Sequence, residues 1–186
     1  MILIVGESAS GKSTLQKMFI ESNPKYKKVV TYTTRPMREG EVNGVDYHFI
    51  SQSSFDELIK RDFFVEHAKY RGWCYGTAKS DCKGEDVIAV LTPSGMRTLK
   101  RLGFDIVSVY LYVDRRSRLI SSLVRGDDID ESYRRNLSDV GQFDGVIDEV
   151  DYAIDNTGFH MNPNQVLECL KKILKAESAT HQITDK

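Results

Sequence analysis

The run Gly6-Glu7-Ser8-Ala9-Ser10-Gly11-Lys12-Ser13-Thr14 follows directly on the apolar segment Met1 to Val5 and matches G-x-x-x-x-G-K-[ST] in full. Its glycines let the backbone turn so that successive N–H groups point at phosphate oxygens. The periodic residues Leu15, Met18 and Phe19 behind it predict a helix whose N-terminus adds partial positive charge at the same spot. The chemistry this supports is binding of a nucleoside triphosphate, with Lys12 bridging the β- and γ-phosphates and Ser13 as a ligand to Mg²⁺.

A second cluster lies further along. Arg35 and Arg38 are three apart in a turn containing Pro36, so both guanidinium forks can converge on one dianionic phosphate through charge-assisted bonds. Glu66 sits in the apolar stretch Phe64-Val65-Glu66-His67-Ala68. A carboxylate there can accept two neighbouring N–H donors of one ligand together.

The stretch Thr33-Thr34-Arg35-Pro36-Met37-Arg38-Glu39-Gly40-Glu41-Val42-Asn43-Gly44-Val45-Asp46-Tyr47-His48-Phe49, taken with the phosphate loop, resembles guanylate kinase, the family that moves the γ-phosphate of ATP onto GMP. The resemblance continues through Phe64 to Ala68 and Tyr75-Gly76-Thr77 and, weakly, Asp151 to Asn156, so it covers most of the chain to about Lys175. It implies a P-loop kinase fold with a small monophosphate-binding insertion and a helical lid. It also implies ATP and GMP as substrates and Mg²⁺ as the accompanying ion. On the acceptor side it implies that Tyr47 and Tyr75 serve the GMP phosphate beside Arg35 and Arg38, with Glu41 a nearby acid, and that Thr31 and Thr77 contact the base with Glu66.

Two places depart from the family pattern. Where the family reads hydrophobic-Asp-x-Asp-x-x-Gly, the chain reads Val90-Leu91-Thr92-Pro93-Ser94-Gly95 after an apolar run, so both aspartates are gone. Thr92 keeps an acceptor oxygen for the acceptor site without the charge, and Val90 keeps neither. An Arg-Leu pair that the family carries in the helix before the lid reads Ser121-Ser122-Leu123, and a later lid-helix arginine aligns with Asn136 or, one residue away, Arg135. Arg125 and Arg135 are therefore the lid cations expected to reach the transferring phosphoryl group, alongside the catalytic Lys12 and Arg35. Two other readings remain open: a kinase of the same fold with another acceptor, and a non-catalytic interaction module of the same fold.

The elements that must position these residues can be read from hydrophobic rhythm. Short apolar, β-branched runs recur at Ile2 to Val5, Val29 to Thr31, Val87 to Leu91, Ile106 to Val113 and Tyr152 to Ile154. Most gaps are long enough for a helix, which predicts an α/β fold with a doubly wound parallel sheet of five strands. Ser54 with Glu57, Thr92-Pro93 and Asn162-Pro163 each announce a helix start, the last running to about Lys175. Residues 35–77 read as an insertion of short antiparallel strands plus the Ser54 helix. Residues 1–34 and 78–175 then form the core, about 115–145 the lid, and 176–186 a frayed tail.

Composition sets the outer bounds. With 186 residues, 40% of them hydrophobic, the chain suits one domain with a real core. Lys and Arg number 26 against 27 Asp and Glu, so no global charge calls for nucleic acid or an anionic membrane as partner. No apolar run is long enough for a signal peptide core or a membrane span, and Cys74, Cys82 and Cys169 lack C-x-x-C spacing. A cytoplasmic location is expected; oligomeric state is not legible.

Overall fold

The computed structural model describes residues 1–70 and 72–184, with the side chains of Tyr70 and of residues 180–184 left out. At its centre is a five-stranded parallel sheet in the order β2-β7-β1-β8-β9, formed by β1 (Ile2–Val5), β2 (Lys27–Lys28), β7 (Val87–Val90), β8 (Val107–Tyr112) and β9 (Tyr152–Asp155). Successive side chains of a strand point to opposite faces. Ile2 and Ile4 therefore pack with Leu15 and Phe19 of α1 (Lys12–Ser22) and Val166, Leu167 and Leu170 of α6 (Pro163–Thr184). Leu3 and Val5 pack on the other face with Met96 and Leu99 of α3 (Pro93–Arg101) and with Val146. Helices on both faces make the strands continuous apolar runs, and β1 is buried throughout.

The edge strand is displaced from its expected position. Pairing with β7 runs through Lys27 and Lys28, and Val29 adds one more hydrogen bond to Ile88. The run Val29 to Thr31 is instead where the chain leaves this sheet and enters a second one. Two lysines suit an edge, since their charge discourages further strand addition.

The second sheet has the order β4-β3-β6-β5, from β3 (Tyr32–Thr33), β4 (His48–Phe49), β5 (Phe64–Tyr70) and β6 (Trp73–Ala78). Its strands are mixed, not all antiparallel: β3 and β4 run parallel, because a long connection and not a hairpin joins them. Helix α2 (Gln52–Lys60) closes this layer with Phe55 stacked on Phe64. The cap of α2 is Ser51, whose hydroxyl accepts from Ser54 N–H at 3.1 Å, so Ser54 is the third helical residue and not the cap. The other two expected starts hold: Thr92 caps α3 with Pro93 in its first turn, and Asn162 accepts from Gln165 N–H ahead of α6.

Helices α4 (Arg115–Val124) and α5 (Ile129–Ser138) form a hairpin across the Gly126 break. Helix α6 continues past Lys175 to Thr184, since Ala176, Glu177 and Ala179 are good helix formers and Glu177 accepts from the Tyr152 hydroxyl at 2.5 Å. The tail expected to fray from residue 176 is therefore helical to Thr184, and residues 185–186 lie outside the described residues. Among the described residues, no helix is long and apolar enough to cross a membrane.

Candidate active site

The phosphate loop leaves the carboxyl end of β1, and Gly6 must be glycine because a Cβ there would meet the Leu111 carbonyl oxygen of β8 at 2.6 Å. Ala9 holds a left-handed backbone (φ 63°), a conformation that costs a non-glycine residue about 1–2 kcal/mol and persists only where the surroundings enforce it. Part of that enforcement is a buried network. The Glu7 side chain turns away from the loop into the fold and accepts from the Tyr110 hydroxyl at 3.0 Å. Arg118 of α4, only 5% exposed, donates to the Ser8 carbonyl at 3.1 Å and stands between Glu7 and Asp139. Asp139, which caps the end of α5, accepts from Ser8 N–H at 2.8 Å.

Lys12 Nζ donates to the Glu7 carbonyl at 2.6 Å, curled over the loop that it would serve. Burial lowers its pKa to about 8, against the opposing pull of Asp139 and Glu7. Lys12, Ser13, Ser8 and Ala9 line one end of a cavity of about 870 Å³.

The other end of that cavity is built by the second sheet and the start of α3. The β5–β6 register sets Glu66 opposite Thr77 and Ala68 opposite Tyr75, so these side chains share a face. Glu66, Thr77, Tyr75, Tyr47, Thr31 and Thr92 all line the cavity. Glu66 Oε2 accepts from both the hydroxyl and the backbone N–H of Thr92, and Thr92 Oγ1 in turn accepts from Gly95 N–H at 3.2 Å. Burial raises the Glu66 pKa above the usual carboxylate value, while the Thr92 and Gly95 donors at the α3 N-terminus pull it down.

The arginine cluster lies behind the tyrosines. Arg35 pairs with Glu41 at 2.6 Å and lies against the rings of Tyr47 and Phe49 at 5.4 and 5.5 Å. Glu41 also accepts from Arg38 N–H at 2.7 Å, which folds the turn, and the Arg38 side chain is exposed. Arg35, Arg38 and Glu41 thus form one group at the cavity's tyrosine wall without lining the cavity themselves.

On the lid, Arg135 lines the main cavity together with Ser138 and Gln142, while Arg125 is ion-paired with Asp127. Asn136 is buried and accepts from Arg115 Nε at 2.5 Å, which leaves Arg135 as the cavity-facing member of that pair of positions. A separate pocket of about 330 Å³ on the outer side of the loop is lined by Gly11, Thr14, Arg125, Asn156, Phe159 and Asn162, among others. Sequence reasoning missed Arg118, Asp139 and Asn156. The signal available for Asn156 was its place just past a predicted strand; for the ion pair there was none, because the partners are far apart in the chain.

The family profile described as guanylate kinase matches residues 1–177. Two curated guanylate kinases from strains of Rhodopseudomonas palustris are 33% and 32% identical over 184 residues, covering 95% of this chain and 82% of each relative. The crystal structure of guanylate kinase from Anaplasma phagocytophilum superposes with a TM-score of 0.64 at 23% identity, covering 95% of this chain and 85% of that one.

Proposed function

The chain belongs to the guanylate kinase family, and from that premise we propose that it transfers the γ-phosphate of ATP to GMP, giving ADP and GDP. The observation that carries this reading is the continuity of one cavity from Lys12 and Ser13 to Glu66, Thr77 and the two tyrosines. In this reading the residues of the loop from Gly6 to Thr14 hold the triphosphate, through the backbone alone in the case of Glu7, whose side chain is engaged elsewhere. Arg35, Arg38, Tyr47 and Tyr75 hold the acceptor phosphate, with Glu41 orienting Arg35. Thr31, Glu66, Thr77 and Thr92 surround the base.

The acceptor phosphate oxygen is already anionic, so in-line attack needs no general base. Catalysis is then positioning plus charge stabilisation by Lys12, Arg35, Arg125 and Arg135, with the lid excluding water that would hydrolyse ATP. The donor set suits Mg²⁺ arriving with the nucleotide. The strand end that would supply an acid offers Val90 and Thr92, and among the described residues no group of three His, Cys, Asp or Glu could hold a metal. The Ser13 hydroxyl would hold the ion together with phosphate oxygens and water, where it neutralises charge on the phosphates.

The test is ADP release from ATP with GMP, dGMP, AMP, CMP or UMP as acceptor. Turnover with the guanylates and none with AMP, CMP or UMP is expected. Equal turnover with AMP would remove Glu66 from its role, and no turnover with any acceptor would favour a binding module.

A further inference from the structure

Glu66 presents one free oxygen where a carboxylate pairing side by side with the two neighbouring N–H groups of a guanine uses both. Each oxygen of an ionised carboxylate has about two acceptor sites. Both sites of Oε2 are taken, one by the Thr92 hydroxyl and one by the Thr92 backbone N–H at 3.2 Å. The arrangement is built in. Thr92 is fixed as the cap of α3, and Gly95 packs so closely on the carboxylate that a Cβ there would come within 2.5 Å of Oε2.

Only Oε1 remains for a bound base. A guanine presents two donors on that edge, the N1–H and the 2-amino group. Val90, the next cavity-lining residue along the strand end, has no side-chain acceptor to offer the second, and Thr92 Oγ1 already donates to Glu66 and accepts from Gly95 N–H.

We propose that the acceptor site reads the N1–H of a 6-oxopurine through Glu66 Oε1 and leaves the 2-amino group unread, so that inosine monophosphate is accepted alongside guanylate. The inference rests on the acceptor reading given above and narrows it. Thr92 is the specificity-determining residue: by donating to Glu66 it turns a two-point contact into a one-point contact. Rejection of adenine survives, because adenine N1 is itself an acceptor and would leave Oε1 facing a lone pair.

The experiment compares GMP, IMP, 1-methyl-GMP and AMP, both as phosphoryl acceptors in steady-state ADP release and as ligands in calorimetric titration. IMP should fall within about tenfold of GMP in kcat/KM and in Kd, a gap of about 1.4 kcal/mol. The 1-methyl and adenine nucleotides, which lack the N1 donor, should lie more than a thousandfold below. IMP more than a hundredfold worse than GMP, with GMP fully active, would overturn the inference and leave the guanylate reading intact. Substitution of Ser94, a further hydroxyl on the cavity wall, would then identify whether it fills the role. If GMP is neither bound nor phosphorylated, both the acceptor reading and the inference fall together.

Discussion

Burial holds the Lys12 ammonium at a pKa of about 8 in the free protein, although Asp139 and Glu7 both favour its charged form. A triphosphate adds far more negative charge at that point and restores the proton. Binding of ATP must therefore take up a proton once the pH exceeds about 8, and the sign follows: affinity is level below that value and weakens above it, by up to tenfold per pH unit. Calorimetric titration from pH 6.5 to 9.5 in buffers of different ionisation enthalpy checks this. The Lys12→Ala variant should bind ATP with a flat profile and lose turnover by about a thousandfold or more, since it removes a charge from the transferring group. An unaltered ATP affinity between pH 7 and 9.5 in the native protein would contradict it.

Helices α4 and α5 are tied to the phosphate loop by the ion pairs of Arg118 with Glu7 and Asp139 more than by an apolar core. Buried residues on α5 are Glu131, Ser132 and Asn136, whereas Ile129, Tyr133 and Leu137 are exposed. Arg118 carries the connection, and removing it takes away the ion-pair partner of both Glu7 and Asp139, a change that at a buried pair typically costs about 3–5 kcal/mol. Arg118→Ala should lose stability of that order in urea denaturation, and Arg118→Lys should recover only part of it because a point charge cannot span Val113 O, Ser8 O and Asp139 together. A loss below about 1 kcal/mol would show the network to be idle. None of this was legible beforehand, since Arg118 looked like any helix-surface arginine and its loop partners, Ser8 and Glu7, are 110 or more residues away in the chain. What was legible were features that act over a few residues: the Gly-Lys-Ser loop, the Thr92-Pro93 start and the strand rhythm. The α2 cap was misread because Ser51 and Ser54 offer the same hydroxyl one turn apart. The edge strand was misread because Val29 to Thr31 has strand composition at a crossing between two sheets.

At the scale of the molecule, two sheets of different construction meet at one cavity. The parallel sheet is packed on both faces and supplies the phosphate loop from the end of its central strand, in the crevice where open α/β sheets bind ligands. The mixed sheet has its own small core around Phe55, Phe64 and Cys74, and turns Glu66, Tyr75 and Thr77 toward the loop. The central claim is that donor and acceptor occupy this one cavity at the same time, in line. A bisubstrate compound in which adenosine and guanosine are joined through a polyphosphate tests that claim most directly, in inhibition kinetics against each substrate in turn. Competition with both ATP and GMP is expected, with an affinity well above that of either nucleotide, because one molecule fills both halves. Competition with ATP alone, or an affinity no better than that of ATP, would contradict it.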